Sequence, residues 1–113
     1  MEFQLTTFRC DGKQMVGLDG ELDMQSAPQV DELLERLAAE DVVVDMGRLS
    51  FCDSCGLSAL IRARRRFDHA GGTMRLTNLQ PKVQRLLTIT DTCGFFNVVD
   101  SRVESSAGLD SVR

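Results

Sequence analysis

Apolar and polar positions alternate over the first part of the chain in the manner of a β-hairpin. Residues 3–10 alternate for most of their length, Asp11-Gly12 is a turn-forming pair, and residues 14–18 resume the extended pattern. The sequence therefore predicts two antiparallel strands that are joined at this turn.

An amphipathic helix is predicted next, over residues 27–40. Its apolar positions recur at spacings of three and one, which places them along one side of a helix. Ser26 can cap the first turn, Pro28 fits within that turn, and Gln29 completes a capping box. We expect this helix to pack on the core through Val30, Leu33, Leu34, Leu37 and Ala38.

A strand followed by a helix is predicted in the middle of the chain. Residues 41–46 are centred on three consecutive valines, which is typical of a strand buried on both faces. Residues 54–69 place apolar side chains near one side of a helix, and Gly71-Gly72 ends it. We therefore expect residues 41–46 to form a central strand of a sheet.

The last third of the chain repeats this order. Residues 73–78 alternate again, Pro81 opens a third helix that Gly94 is expected to end, and residues 95–99 form a short extended piece. The polar residues 104–113 are expected to be a frayed tail. Strands that alternate with helices after a hairpin favour an α/β domain. The predicted fold is a single α/β domain with a mixed β-sheet of four to five strands and helices mainly on one face.

Length and composition fit one globular domain. The chain has 113 residues, of which 42% are hydrophobic and 27% charged, and this is enough apolar material for a core. Its apolar runs are far shorter than the ~20 residues of a membrane-spanning helix, and the first residues lack a basic region followed by an apolar one. We expect a cytoplasmic protein that does not bind membranes.

The charges are unevenly distributed. A net charge of −4 argues against a protein that binds nucleic acid. Residues 1–53 carry 12 acidic and 4 basic side chains, whereas residues 54–113 carry 5 and 9. Four of those bases are the arginines of residues 62–66. This run is interpreted as a solvated helix face in preference to a docking patch for an acidic partner.

The loop between the central strand and the second helix is the first candidate for a functional site. Ligands and partners of open α/β sheets tend to bind at the carboxyl ends of strands. Either Asp53 or Ser54 can cap the helix that follows, because a side-chain oxygen there can accept from the first free amides. A capped helix alone would explain a generic Asp-Ser pair.

Several motifs together carry a family resemblance. Asp53-Ser54-Cys55-Gly56-Leu57 follows the predicted central strand after a short linker, Gly20-Glu21-Leu22-Asp23 precedes it, and residues 71–76 follow in the right order. In this combination the chain resembles a STAS domain of the bacterial anti-sigma factor antagonist type. The resemblance runs from about Phe3 to Val99, and we assign residues 1–103 to the domain.

The resemblance implies a switch protein without catalytic activity and without a cofactor. In this family the partner is an anti-sigma factor that is also an ATP-dependent serine kinase, and its target would be Ser54. The unphosphorylated form binds the anti-sigma factor and frees the sigma factor, the phosphorylated form does not, and a PP2C-type phosphatase resets the switch. The implied partner-binding residues are Asp23, Asp53, Ser54, Cys55, Gly56 and Leu57.

Two alternatives remain from the sequence. A STAS subunit of a lipid-transport or signalling assembly would share the fold. The second is a thiol redox or zinc protein, because Cys52-x-x-Cys55 departs from the commonest family pattern and has thioredoxin-like spacing at a helix start. A zinc site would also need the isolated Cys10 and Cys93. Cys52 ends a strand, and we favour its interpretation as a small apolar residue of the core.

Overall fold

A five-stranded mixed sheet runs through the described part of the chain, residues 3–99, of the computed structural model. The strands lie in chain order, with β1 antiparallel to β2 and every later pair of neighbours parallel. The strands are β1 (Gln4–Cys10), β2 (Lys13–Leu22), β3 (Asp41–Cys52), β4 (Thr73–Thr77) and β5 (Val98–Val99). The helices that connect the parallel strands are α1 (Ala27–Arg36), α2 (Ser54–Ala70), α3 (Pro81–Ile89) and α4 (Cys93–Phe96).

The predicted hairpin of β1 and β2 is confirmed, together with its turn. Cys10 pairs with Lys13, and the two residues between them, Asp11 and Gly12, have φ angles of 53° and 78°. Positive φ at both central positions is what a two-residue turn requires in order to follow the twist of its strands. The Asp-Gly pair therefore determines the register of the hairpin.

One core cluster joins the sheet to the helices. Val42, Val44 and Met46 of β3 belong to it, whereas Val43 is buried on the opposite side of the strand and does not. This confirms a central strand buried on both faces, and the α/β fold with helices mainly on one face. The helical residues of the cluster are Val30, Leu34 and Ala38 in or next to α1, Leu57, Leu60, Ala63 and Phe67 of α2, Val83 and Leu87 of α3, and Phe96 of α4.

The first helix begins at residue 27 as predicted, but it ends early and lacks the predicted side-chain cap. α1 ends at Arg36, and residues 37–39 form turns instead of continuing the helix to residue 40. Ser26 lies at the N-cap position but makes no side-chain cap. Its Oγ donates to the Glu21 carbonyl at 2.7 Å and accepts from the Asp23 amide at 2.9 Å. The capping-box prediction was wrong because this hydroxyl bonds to the loop that precedes the helix.

Three other features differ from the prediction. β3 continues to Cys52, well past residue 46, because β2 supplies a parallel partner as far as Leu22. In the segment predicted as extended, α4 takes up Phe95 and Phe96, so that only Val98–Val99 pairs with β4. Gly94 lies inside α4 and does not end α3.

Other expectations concern residues that the structure does not describe. The domain boundary at residue 103 and the tail at 104–113 lie outside the described range. Within residues 3–99, no helix combines the length and the apolar character that crossing a membrane requires.

Candidate functional site

Two loops leave the sheet side by side at the carboxyl ends of β2 and β3. The parallel register pairs Leu22 with Cys52, so that the residues that follow them, Asp23 and Asp53, lie at the same edge of the sheet. The Asp53 amide also donates to the Leu22 carbonyl at 3.2 Å. The strand pairing therefore brings together the two aspartates that stand 30 positions apart in the sequence.

Asp53, and not Ser54, caps helix α2. Its Oδ1 accepts from the Gly56 amide at 2.9 Å, and its carbonyl accepts from the Leu57 amide at 2.9 Å. Ser54 is the exposed first residue of the helix. The amides of Ser54 and Cys55 have no intrahelical acceptor, because they lie in the first turn of the helix. The helix dipole is also positive at this end. The Ser54 hydroxyl therefore stands in solvent beside a helix start that favours negative charge.

Gly56 allows the start of α2 to pack directly on β2. A Cβ atom here would lie 2.5 Å from the Leu22 carbonyl oxygen and 3.0 Å from Cys52 Sγ. The first contact is far too short and involves backbone, so a side chain at this position would displace the helix. Gly56 and Leu57 are both buried. The start of α2 is therefore anchored by two buried residues, while the two residues before them, Ser54 and Cys55, are exposed to solvent.

The Asp23 loop is held by its own hydrogen bonds. Asp23 Oδ1 accepts from the amides of Gln25 at 3.0 Å and Ser26 at 3.2 Å. Ser26 is 4% exposed, and its hydroxyl ties the loop to the end of β2. Much of the hydrogen-bonding capacity of Asp23 is therefore used to shape this loop. A cleft of about 320 Å³ beside it is lined by Phe3, Glu21, Asp23, Gln25, Ser26 and Gln29.

The two cysteines of the motif have different environments. Burial, and secondarily the charge of Asp53, raises the pKa of the Cys52 thiol from its usual 9.0 to about 12. Cys52 packs against the core, whereas Cys55 is exposed. A thiol that stays protonated at neutral pH is a poor nucleophile and a poor metal ligand. Within residues 3–99, no three His, Cys, Asp or Glu side chains gather where they could hold a metal ion.

The arginine run of α2 joins this helix to its neighbours. Arg62 and Arg66 both approach Asp31 of α1, with N–O distances of 2.8 and 3.5 Å. The hydrogen bond with Asp31 is the main cause that raises the pKa of Arg62. Arg64 donates to the Phe95 carbonyl, and its Cζ atom lies 5.4 Å from the centre of the Phe95 ring. These three arginines contribute to helix packing, which neither interpretation of the run had included.

Two exposed apolar side chains at this end were not selected from the sequence. Met24 directly follows Asp23 and is 71% exposed; Phe51 lies two residues before Asp53 and is 45% exposed. Their position next to the motif residues was the available signal. Sequence reasoning passed over them because an apolar residue within a predicted strand or loop is ordinarily assigned to the core.

The α/β fold and the paired loops match those of a known family of domains. The STAS domain family model matches residues 9–105, and the chain belongs to this family. The anti-sigma F factor antagonist of Paenibacillus polymyxa is 28% identical, with 99% of each chain covered. The anti-sigma-B factor antagonist of Bacillus subtilis (strain 168) is 31% identical, with 83% of this chain and 85% of the relative covered.

Solved structures show the same fold. The anti-sigma factor antagonist SpoIIAA in its unphosphorylated form has a TM-score of 0.67 and 22% identity, with 99% of this chain and 98% of that chain covered. The Bacillus cell fate determinant SpoIIAA in its phosphorylated form has a TM-score of 0.69 and 23% identity, with 99% and 100% covered. At such low identity the likeness concerns the fold alone.

Proposed function

We propose that this chain is an anti-sigma factor antagonist. It binds an anti-sigma factor through the surface at the carboxyl ends of β2 and β3, and so releases a sigma factor. Membership of the STAS domain family and two relatives that carry this name support the proposal. In this function the chain is a cytoplasmic binding protein and performs no catalysis of its own.

Phosphorylation of Ser54 is the proposed control of this binding. The anti-sigma factor, acting as a serine kinase, transfers phosphate to the Ser54 hydroxyl, and a PP2C-type phosphatase removes it. The observation that carries this proposal is the position of Ser54: exposed, first in α2, and on the same edge of the sheet as Asp23 and Asp53. The surface for docking and the hydroxyl to be modified therefore coincide.

The expected effect of a phosphate follows from its charge. A phosphoserine carries about −1.5 to −2 charges, and the free amides at the start of α2 can host such a group without loss of the fold. A bound partner, however, would have to dehydrate that phosphate beside the carboxylate of Asp53. Leaving such a group unpaired in an interface costs several kcal/mol, which is enough to release the partner.

The first test is phosphorylation of matched serine variants with the cognate kinase and ATP. Ser58 is the control, because it is also exposed and lies one turn further along α2. We expect wild type and Ser58→Ala to incorporate phosphate, and Ser54→Ala to incorporate none while it still binds the kinase. Equal incorporation into Ser54→Ala would contradict the assignment.

The same preparations test the switch itself. Titration calorimetry should show that the phosphorylated protein binds the anti-sigma factor more weakly than the unmodified protein does. Ser54→Asp should weaken binding by less, because a carboxylate carries less charge and fewer acceptor oxygens than a phosphate. Unchanged affinity after phosphorylation would remove the switch role from Ser54. Co-purification of a transporter in place of an anti-sigma factor would favour the transport assembly.

A further inference from the structure

Exposed apolar side chains are not spread evenly over the described residues. Three of the large ones lie on separate elements: Phe8 on β1, Ile89 on α3 and Val98 on β5. Single exposed apolar residues of this kind are common and need no explanation. The other two, Met24 and Phe51, both lie at the end that carries Ser54.

The strand register places these two residues on adjacent segments. Phe51 pairs with Glu21 across β2 and β3, and the next pair, Leu22 with Cys52, is the last. Met24 follows two positions after Leu22, at the beginning of the loop that Asp23 shapes. Each apolar side chain is therefore presented by a segment whose backbone is held in place by strand pairing or by Asp23.

Carboxylates neighbour these side chains in strand register and along the chain: Glu21 pairs with Phe51, Asp23 precedes Met24, and Asp53 follows Phe51 by two positions. Glu21, Asp23 and Asp53 lie at this end, and among residues 3–99 none of the three forms an ion pair. The arginine of β3, Arg48, lies three positions before Phe51 and is already paired with Asp19 at 3.1 Å. An apolar centre with an acidic border is complementary to an apolar pocket that is bordered by cations.

We propose that Phe51 and Met24 are the apolar anchors of the docking surface, and that the anti-sigma factor receives them in an apolar pocket bordered by lysine or arginine side chains. This inference rests on the proposed function and specifies the partner's surface. Aromatic residues and methionine are enriched at the centres of interfaces, where a few side chains supply most of the affinity. A phosphate on Ser54 would introduce a strongly hydrated anion into this contact, and its dehydration opposes binding even beside a basic border.

The test compares four alanine variants against the cognate anti-sigma factor by titration calorimetry. Phe51→Ala and Met24→Ala remove the proposed anchors. Phe8→Ala and Ile89→Ala are the respective controls, because each of these apolar side chains is at least as exposed as its matching anchor and lies elsewhere. We expect Phe51→Ala to weaken binding about tenfold and Met24→Ala several-fold, with both controls within about twofold of wild type. Circular dichroism of all four should match wild type, because each side chain is exposed.

A second variant tests the acidic border. Glu21→Gln should lower the association rate and reduce its dependence on salt concentration, because a basic partner surface is attracted over a distance. If the anchor variants bind as the controls do, or if added salt strengthens wild-type binding, the inference is wrong. The proposed function still stands in that case, provided that wild type binds and phosphorylation of Ser54 abolishes binding. Absence of wild-type binding would overturn both.

Discussion

The two ends of the parallel strands use their carboxylates in different ways. At the amino ends, Asp41 of β3 binds Arg75 of β4, with 2.6 Å between Oδ1 and Nη2. At the carboxyl ends, Asp23 and Asp53 accept hydrogen bonds from amides of their own segments. An ion pair thus joins two strands at the amino ends, whereas Asp23 and Asp53 at the carboxyl ends form no ion pair within residues 3–99.

Close packing is found at both ends, since a Cβ on Gly72 would lie 2.2 Å from the Ala38 carbonyl oxygen, much as one on Gly56 would meet Leu22. At the carboxyl end, that packing lies next to two exposed apolar side chains, Phe51 and Met24, and to the aspartates that follow β2 and β3. The proposed docking surface therefore lies on backbone that is already closely packed.

The largest expected effect concerns the packing beneath the site. Gly56→Ala should lower the free energy of unfolding by about 1–3 kcal/mol, because the added methyl group meets the backbone of β2. Gly94→Ala is the control, since its Cβ would have no neighbour within 4 Å. Urea unfolding measures both variants. Equal midpoints for the two would mean that α2 does not depend on the close approach at Gly56.

The cysteines provide a comparison of the two ends by reactivity and pH. Burial, together with the smaller effect of the Asp53 charge, raises the pKa of Cys52 to about 12, whereas the unfolded thiol ionises near 9.0. Its contribution to stability is therefore complete below about pH 9 and is lost as the pH rises towards 12. Urea unfolding over that range should show a steeper loss for wild type than for Cys52→Ala.

Alkylation at neutral pH checks the same point. Iodoacetamide should modify the exposed thiols of Cys10 in the hairpin and Cys55 at the site, and leave Cys52 largely unmodified. Rapid modification of Cys52, or a disulfide between Cys52 and Cys55, would return the thiol redox alternative to consideration. Mass spectrometry after digestion distinguishes these results.

The smallest effect is expected near the amino ends of the parallel strands. Glu40→Ala removes the ion pair with Arg9, whose side chain is 59% exposed, so the free energy of unfolding should fall by no more than about 1 kcal/mol. A double-mutant cycle with Arg9→Ala measures the pair, and added salt should weaken it. Partner binding should not change. A loss of binding in these variants would place the docking surface elsewhere on the domain.

The parts of the fold that the sequence predicted correctly depend on neighbouring residues. Asp11 and Gly12 make the hairpin turn, and Gly71 ends α2 with a φ of 87°. A cap at Asp53 or Ser54 was predicted, and the structure assigns it to Asp53. One part that it predicted wrongly depends on a residue outside the motif, five positions earlier on β2. Ser26 was assigned to a cap because only its own helix was considered, whereas its hydroxyl is taken by the Glu21 carbonyl.

The candidate site likewise has parts that were visible in the sequence and parts that were not. The motif around Ser54 was visible in the sequence, because the capping aspartate, the serine and the glycine are consecutive or nearly so. The exposure of Phe51 was not visible, because it depends on where β3 ends relative to β2 and the helices. The role of the arginine run was also hidden, since Asp31 lies on another helix.

By itself the sequence determined the order of strands and helices apart from α4, the tight turn, the capped start of α2 and the serine placed there. These features depend on backbone preferences and on hydrogen bonds within a few residues. Tertiary structure decided which loops meet, which carboxylates stay unpaired and which apolar side chains remain in solvent. The register of β2 against β3 sets all three, because it determines which residues of two distant segments share one edge of the sheet.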